Sequence, residues 1–212
     1  MDFKTALIPF SEEPLTKQVL LELLKEYKRP FDKINELVKQ KILVLVKNGL
    51  YVPGPASLVR GPEPFLLANH IWGPSYVSLE SAMAYWGMIP ERVYEVSSVT
   101  TMLSKTYKTP AGRYSYIHMP SPYYSMGIQQ RKLSDRQHIL IASPEKSVCD
   151  KVVATSGILL RSKKQVLDLL LEDFRISEDR LKSFNTEEMK SWLPFASKKS
   201  SLEILIKTIR EL

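Results

Sequence analysis

The sequence predicts an α+β protein in two parts: helices and a β-hairpin come first, and a larger mixed α/β unit that ends in helices follows. Three observations support this class. Helical periodicity changes to strand-like periodicity before residue 52, both periodicities occur after residue 64, and a stretch rich in proline and glycine separates the two regions. We therefore expect an N-terminal domain at residues 1–58 and a second domain at residues 59–212.

Two helices and a hairpin are predicted in the N-terminal domain. Leucines recur at helical spacing within residues 14–28, and residues 31–40 form a second amphipathic segment. Apolar residues at 42–46 and 50–52 flank Asn48-Gly49, a dipeptide typical of a two-residue hairpin turn. Helices followed by a hairpin are typical of a winged helix, which places a short helix in the DNA major groove and its hairpin against phosphate or the minor groove.

The second domain alternates between strand-like and helical segments. Residues 65–68 form a short apolar strand or buried turn, and Ser78 can cap a helix that runs to Trp86. Strands are predicted at residues 93–101, 112–119 and 138–142. Helices are predicted after Ser143-Pro144 and at residues 163–174, 177–183, 186–193 and 200–212.

Composition limits the class of protein. The 212 residues include 30 Lys and Arg against 23 Asp and Glu, and this net charge of +7 favours a polyanionic partner. The single cysteine excludes an intramolecular disulfide and a thiolate-built zinc site. No apolar run approaches the about 20 residues of a membrane span, and Glu12, Glu13 and Pro14 interrupt any secretory segment. We expect a cytoplasmic protein without membrane contact.

Catalytic motifs are scarce in this sequence. No phosphate-binding loop, dinucleotide-binding, zincin or hydrolase-elbow pattern occurs. His70, His118 and His138 are widely spaced, so ordinary hydrogen-bonded histidines are favoured over a metal or catalytic set. Cys149 follows a predicted helix start and precedes Asp150, whose carboxylate does not help thiolate formation, so we expect it to pack in the core.

Glu145, Lys146 and Asp150 raise the alternative of a metal-dependent nuclease, because nucleases often combine carboxylates with lysine around an ion. Adjacent helical residues project about 100° apart, however, and no second acidic pair is evident on a nearby strand. We therefore interpret Glu145 as a first-turn residue and Lys146 as a solvated charge. Neither catalysis nor a cofactor nor a metal is expected.

Basic residues are concentrated between positions 25 and 47, a segment that contains seven basic and three acidic residues. On the winged-helix outline, helix 31–40 reads the major groove. The candidate DNA-binding residues are the phosphate contacts Lys33, Lys39 and Lys41, the base-reading amides Asn35 and Gln40, and the hairpin-tip residues Lys47 and Asn48. Glu36 would repel phosphate. The alternatives are a solvated amphipathic helix and a protein-interaction module that uses the winged helix as a docking surface.

A second basic stretch covers residues 105–136, where tyrosines alternate with six basic residues and Asp135 is the one acidic residue. Such mixtures can bind single strands by stacking bases on rings beside neutralised phosphates. Tyrosines that alternate along a strand are more often half-buried sheet residues, and we favour that interpretation.

Four segments occur together in one order: KINELVKQKILVLVKNGLYVPG (33–54), YVSLESAMAYWGMIPERVYEVSSVT (76–100), TPAGRYSYIHM (109–119) and IASPEKSVCDKV (141–152). They resemble the AbiEi-type antitoxins of type IV toxin–antitoxin systems, which are winged-helix transcriptional regulators. The resemblance implies a bacterial autorepressor whose N-terminal domain binds double-stranded operator DNA. Its second domain would counter a nucleotidyltransferase-like toxin without a required stable complex. A palindromic operator would imply a homodimer on DNA. A full winged helix has three helices before the hairpin, of which the sequence predicts two.

Overall fold

The structure is a computed structural model that describes residues 3–91 and 93–212. Met1 and Asp2 of the predicted N-terminal domain lie outside the described residues, as does Arg92 within the second segment of the resemblance. The described chain contains ten α-helices and two β-sheets, which confirms the predicted mixture of helix and strand. Within these ranges no helix is both long enough and apolar enough to traverse a bilayer.

The elements of the N-terminal unit are α1 (Phe3–Leu7), β1 (Leu15–Thr16), α2 (Lys17–Leu23), α3 (Pro30–Lys39), β2 (Leu43–Lys47) and β3 (Leu50–Pro53). The strands form an antiparallel sheet in the order β1-β3-β2. The sequence did not predict α1, because five residues are too few to display a helical period. The buried core of this unit consists of Phe3, Leu7, Leu15, Leu20, Leu24, Ile34, Leu37 and Leu43.

α2 is shorter than the helix predicted over residues 14–28. Leu15 and Thr16 instead pair with β3, and the Thr16 hydroxyl caps α2 by accepting a hydrogen bond from the Val19 backbone N–H at 3.3 Å. Leucine spacing alone cannot separate a strand residue from the first helical turn, so the predicted start was wrong. The predicted end was also wrong, because the helix stops at Leu23. α3 begins at Pro30, whose fixed φ suits the first position of a helix.

The hairpin between β2 and β3 turns at Asn48-Gly49, as the sequence predicts. Gly49 has a φ of +82°, a conformation that glycine adopts without steric cost. The register shifts from Leu45↔Tyr51 to Lys47↔Leu50, so Val46 forms a β-bulge next to the turn.

The larger unit begins with α4 (Pro64–Ile71), β4 (Ser75–Val77), α5 (Leu79–Tyr85), β5 (Glu95–Thr100), β6 (Lys105–Thr109), β7 (Gly112–His118), β8 (Ile128–Lys132), β9 (His138–Ala142) and α6 (Pro144–Ala154). Its sheet has the strand order β6-β7-β5-β4-β9-β8, in which β4–β9 and β5–β7 are parallel and the other pairs antiparallel. Ser97 contacts α5, whereas Tyr116, in register with the neighbouring Ser98, contacts α4. The two helices therefore cover opposite faces.

The prediction of a strand or turn at residues 65–68 was wrong, because these residues lie in α4. Leu67, Ala68 and Ile71 are its buried face, and a short apolar run does not distinguish a buried strand from a buried helix. The structure also contains strands β4, β6 and β8, which the sequence did not predict. β6 and β8 are the two outer strands of the sheet, where mostly exposed polar residues leave no apolar alternation.

The C-terminal helices agree with the predictions to within a few residues. They are α7 (Lys163–Leu167), which continues as a π-helix (Asp168–Asp173), α8 (Glu178–Lys182), α9 (Thr186–Trp192) and α10 (Lys199–Arg210). Side chains of Ser162, Ser177 and Asn185 cap α7, α8 and α9 respectively.

The hairpin takes part in two cores at once. Leu43 belongs to the N-terminal core, whereas Val46, Leu50 and Val52 are buried in the large core of the second unit. Polar contacts tie the units together as well, because the Glu12 carboxylate accepts hydrogen bonds from the second unit. The predicted boundary at residue 58 therefore falls after a hairpin that both units share.

Candidate nucleic-acid interface

α3 presents a polar face to solvent and an apolar face to the N-terminal core. Ile34 and Leu37 are buried, and this fixes Asn35 and Lys39 on the exposed side of the helix. β2 packs against α3, so the hairpin stands beside this helix. The structure thus brings together the helix and the hairpin from which the sequence predicts DNA contacts.

Glu36 occupies the middle of that exposed face and holds two of the predicted contact residues. Its Oε1 lies 2.9 Å from Nζ of Lys33 and accepts a hydrogen bond from Nε2 of Gln40 at 2.9 Å. The Lys33 hydrogen bond is the main cause that lowers the pKa of Glu36, and it likewise raises the pKa of Lys33. A phosphate or a base therefore competes with this carboxylate for Lys33 and Gln40.

Lys39 and Lys41 remain exposed at the C-terminal end of α3. The helix ends where the Ile42 N–H bonds to the Leu37 carbonyl at 3.0 Å and Lys41 takes a φ of +58°. The Lys41 carbonyl accepts a hydrogen bond from the Ala56 N–H at 3.0 Å, so this backbone is held from both sides. Lys39 and Lys41 are therefore exposed cations at this end of the helix, whereas Glu36 bonds to Lys33 and Gln40.

The hairpin tip differs from the prediction in one residue. Asn48 is exposed, as a tip residue should be. The Lys47 ammonium group instead turns toward the second unit, where it donates a hydrogen bond to the Ile71 carbonyl at the C-terminus of α4. Burial, with the charge of Lys105 as a second cause, lowers the pKa of Lys47.

Three tyrosines of the second basic stretch are enclosed by the core of the second unit. Tyr114, Tyr116 and Tyr123 are buried, and the Tyr116 hydroxyl donates a hydrogen bond to the Ala68 carbonyl at 2.7 Å. Rings in the core cannot stack on bases. The interpretation as sheet residues is confirmed for Tyr114 and Tyr116, which lie in β7, whereas Tyr123 lies in a short 3-10 turn. The basic side chains of the same stretch, among them Lys105 and Arg131, are exposed.

The interpretation of Lys146 as a solvated charge was wrong, because this side chain is 0% exposed. Ser143 caps α6 as predicted, and Lys146 lies one turn before Asp150 on the buried side of that helix. Its Nζ lies 2.8 Å from Oδ1 of Asp150 and donates a hydrogen bond to the Tyr123 carbonyl at 3.0 Å. The valines at 148, 152 and 153 predict an apolar face for this helix, but the buried side is wider and also includes Lys146 and Asp150.

The second oxygen of Asp150 is bound by two hydroxyl groups. Oδ2 accepts hydrogen bonds from Tyr76 at 2.9 Å and from Ser78 at 2.7 Å. This arrangement neutralises one buried carboxylate with one lysine, and it is enclosed by the core. Glu145 belongs to another contact, since its Oε1 accepts a hydrogen bond from the Asn185 N–H. The three residues of the nuclease alternative therefore do not converge on a common point.

Cys149 and the three histidines occupy separate places. Cys149 is buried, as predicted, and burial raises the pKa of its thiol. His118 makes a 3.1 Å contact between Nδ1 and the Met102 carbonyl, and His138 opens β9. Burial lowers the pKa of His70, with the charge of Lys47 as a second cause. In residues 3–91 and 93–212 no three His, Cys, Asp or Glu side chains are grouped as a metal ion would require.

Comparison of the chain with models of known protein families gave no match, and comparison with curated protein sequences gave none.

Proposed function

We propose that the chain is a DNA-binding transcriptional regulator that inserts α3 into the major groove of a duplex. The observation that carries the proposal is the exposed end of α3, where Lys39 and Lys41 stand beside a hairpin. Lysines there can neutralise phosphates, and the exposed amide of Asn35 has the donor and acceptor that address adenine. Gln40 supplies a second amide once it leaves Glu36.

The winged-helix arrangement is part of this proposal. The N-terminal unit has the order helix, strand, helix, helix, strand, strand, and the hairpin lies next to the third helix. The short α1 supplies a third helix before the hairpin, in line with the resemblance. In such an arrangement the third helix enters the groove and the hairpin lies along the backbone.

An antitoxin role follows from the resemblance and is proposed on that ground. In this role the protein represses its own operon, as a homodimer where the operator is palindromic, and counters a nucleotidyltransferase-like toxin without catalysis of its own. Two observations would test it: the reading frame that neighbours the gene, and the growth of cells that express that neighbour with and without this chain. Toxicity that this chain leaves unchanged would contradict the role.

Titration of a labelled duplex from the upstream region tests DNA binding directly. We expect a log–log dependence of affinity on salt with a slope near −4, which corresponds to about four to five neutralised phosphates. Lys39→Gln should weaken binding to all sequences and lower the slope by about 0.9, whereas Asn35→Ala should change the preference at one base pair. Lys164→Gln, at an exposed lysine of α7, is the matched control. A flat salt response, or equal affinity for a scrambled duplex, would contradict the proposal.

A protein-interaction module is the second candidate, and exposed apolar side chains favour it. Phe31 on α3 and Leu45 on β2 are 51% and 41% exposed. The centre of a protein–protein interface is apolar and contains few charged residues, so exposed apolar side chains of this kind are suited to it. A stoichiometric protein partner that survives nuclease treatment and is lost in Phe31→Ser would favour this module over DNA binding.

A further inference from the structure

The tip of the hairpin meets the second unit in a small basic seam, defined here as Lys47, His70 and Lys105. β2 lies alongside β6, one of the two outer strands of the large sheet, and Lys105 is the first residue of β6. The charge of Lys105 acts on Lys47, and the charge of Lys47 acts on His70. Three groups from a hairpin, a helix and a strand therefore lie together at the junction of the two units.

Lys105 is held in place by two aromatic rings. Its Nζ lies 4.8 Å from the ring centroid of Trp72 and 4.9 Å from that of Tyr107. The two rings are 6.0 Å apart, and the Trp72 indole N–H donates a hydrogen bond to the Leu103 carbonyl at 3.0 Å. Cation–π contacts of this kind orient an ammonium group but leave N–H donors free for another acceptor.

The seam contains no compensating acid in the part of the chain that the structure describes. The ion pairs of the described residues join other side chains, and none of them includes Lys47 or Lys105. Like charges that are clustered without a counter-charge repel one another, and an anion relieves that repulsion. Lys105 is exposed beside the tip of the hairpin, and the phosphate backbone of a duplex is an anion that such a cation can bind.

We propose that the second unit contributes to duplex binding, with Lys105 as a contact to the phosphate backbone next to the hairpin. This inference rests on the proposed function, since it requires that α3 and the hairpin face the same duplex. Lys47 acts as a positioning residue: its bond to the end of α4 holds the hairpin tip beside Lys105. The DNA-binding surface then extends from α3 across the hairpin to β6.

The test uses the full chain and compares duplex binding over a series of salt concentrations. Lys105→Gln should weaken binding about threefold to tenfold at low salt and lower the salt slope by about 0.9, the value of one phosphate contact. Lys105→Arg retains the charge and should restore most of the affinity. Lys164→Gln, which removes one charge far along the chain in α7, should leave affinity and slope near those of the wild type. Thermal melts of all variants verify that they fold.

The outcomes separate this inference from the proposed function. Weaker binding by Lys39→Gln with unchanged binding by Lys105→Gln would overturn the inference and leave the proposed function standing. An equal loss in Lys105→Gln and Lys164→Gln would also overturn it, because total charge would then explain both. A wild-type chain that binds no duplex at any salt concentration would overturn both.

Discussion

Replacement of Asp150 by Asn should destabilise the protein strongly, although it changes few atoms. Asp150 and Lys146 are both 0% exposed, with 2.8 Å between Oδ1 and Nζ. Asn keeps a carbonyl oxygen for the hydroxyls of Tyr76 and Ser78, so the substitution mainly removes the negative charge. A buried lysine without its partner costs about 3–5 kcal/mol, which for a chain of this size lowers Tm by about 6–20 °C.

A double-mutant cycle shows whether the pair itself accounts for that loss. Lys146→Met leaves the carboxylate uncompensated and should cost about as much, whereas the double variant buries neither charge. We therefore expect the double variant to be less destabilised than the sum of the single variants by at least about 2 kcal/mol. Lys151→Met is the control on the same helix, because its ion pair with Glu80 is partly exposed to solvent and we expect it to contribute about 1 kcal/mol or less.

Urea unfolding followed by far-UV circular dichroism measures these differences, provided that the m-value stays constant across the series. Two results would refute the reasoning. Single variants within about 1 kcal/mol of the wild type would mean that the buried pair is not coupled, and additive losses would mean that other contacts of the two side chains account for the cost.

Three further predictions concern the candidate interface. Glu36→Gln should increase duplex affinity and steepen the salt slope, because it removes a repelling charge and releases Lys33; unchanged affinity in the same titration would contradict this. Lys41→Gly should raise the free energy of unfolding by about 0.5–1 kcal/mol, since glycine accepts the φ of +58°, and should lower DNA affinity because a cation is lost. Urea unfolding should therefore show a more stable protein, and DNA titration a weaker binder. Burial lowers the pKa of His70 below its unfolded value of 6.5, so the unfolded chain binds the proton more readily and stability falls as pH drops through that value. His70→Gln should lose part of this decline between pH 7.5 and 5.5, and an identical decline in both proteins would argue against it.

Periodic segments were predicted well from the sequence, because their burial follows from local spacing. The α3 segment carries the apolar residues Phe31, Ile34, Leu37 and Val38 at helical spacing, which predicts that they face inward. Ile34 and Leu37 enter the core, whereas the prediction was wrong for Phe31, which is 51% exposed at the start of the helix.

Caps were informative in part. Ser143 accepts a hydrogen bond from the first turn of α6 as predicted, whereas the predicted cap at Ser78 was wrong, because α5 begins there without a side-chain cap and the Ser78 hydroxyl donates to Asp150 instead. These signals depend on a few neighbouring residues and need no knowledge of the tertiary fold.

Features that depend on tertiary contacts were missed. Nothing near Lys146 in the sequence shows that it pairs with Asp150 inside the core. A lysine four residues before an aspartate can form the same pair on the surface of a helix. Lys47 and Lys105 are 58 positions apart in the sequence. Only the packing of β2 along β6 brings them together. The candidate helix could therefore be predicted, and the pairing of Glu36 with Lys33 and Gln40 is compatible with their spacing on one helix, whereas the adjacent seam depends on the tertiary structure.

The bulged hairpin also limits how this N-terminal unit can be reused. Val46, Leu50 and Val52 are covered by side chains that the first 58 residues do not supply. A fragment that stops there would expose an apolar stripe on its sheet, and chimaeras that graft it onto a foreign effector would need a newly designed cover for those three side chains.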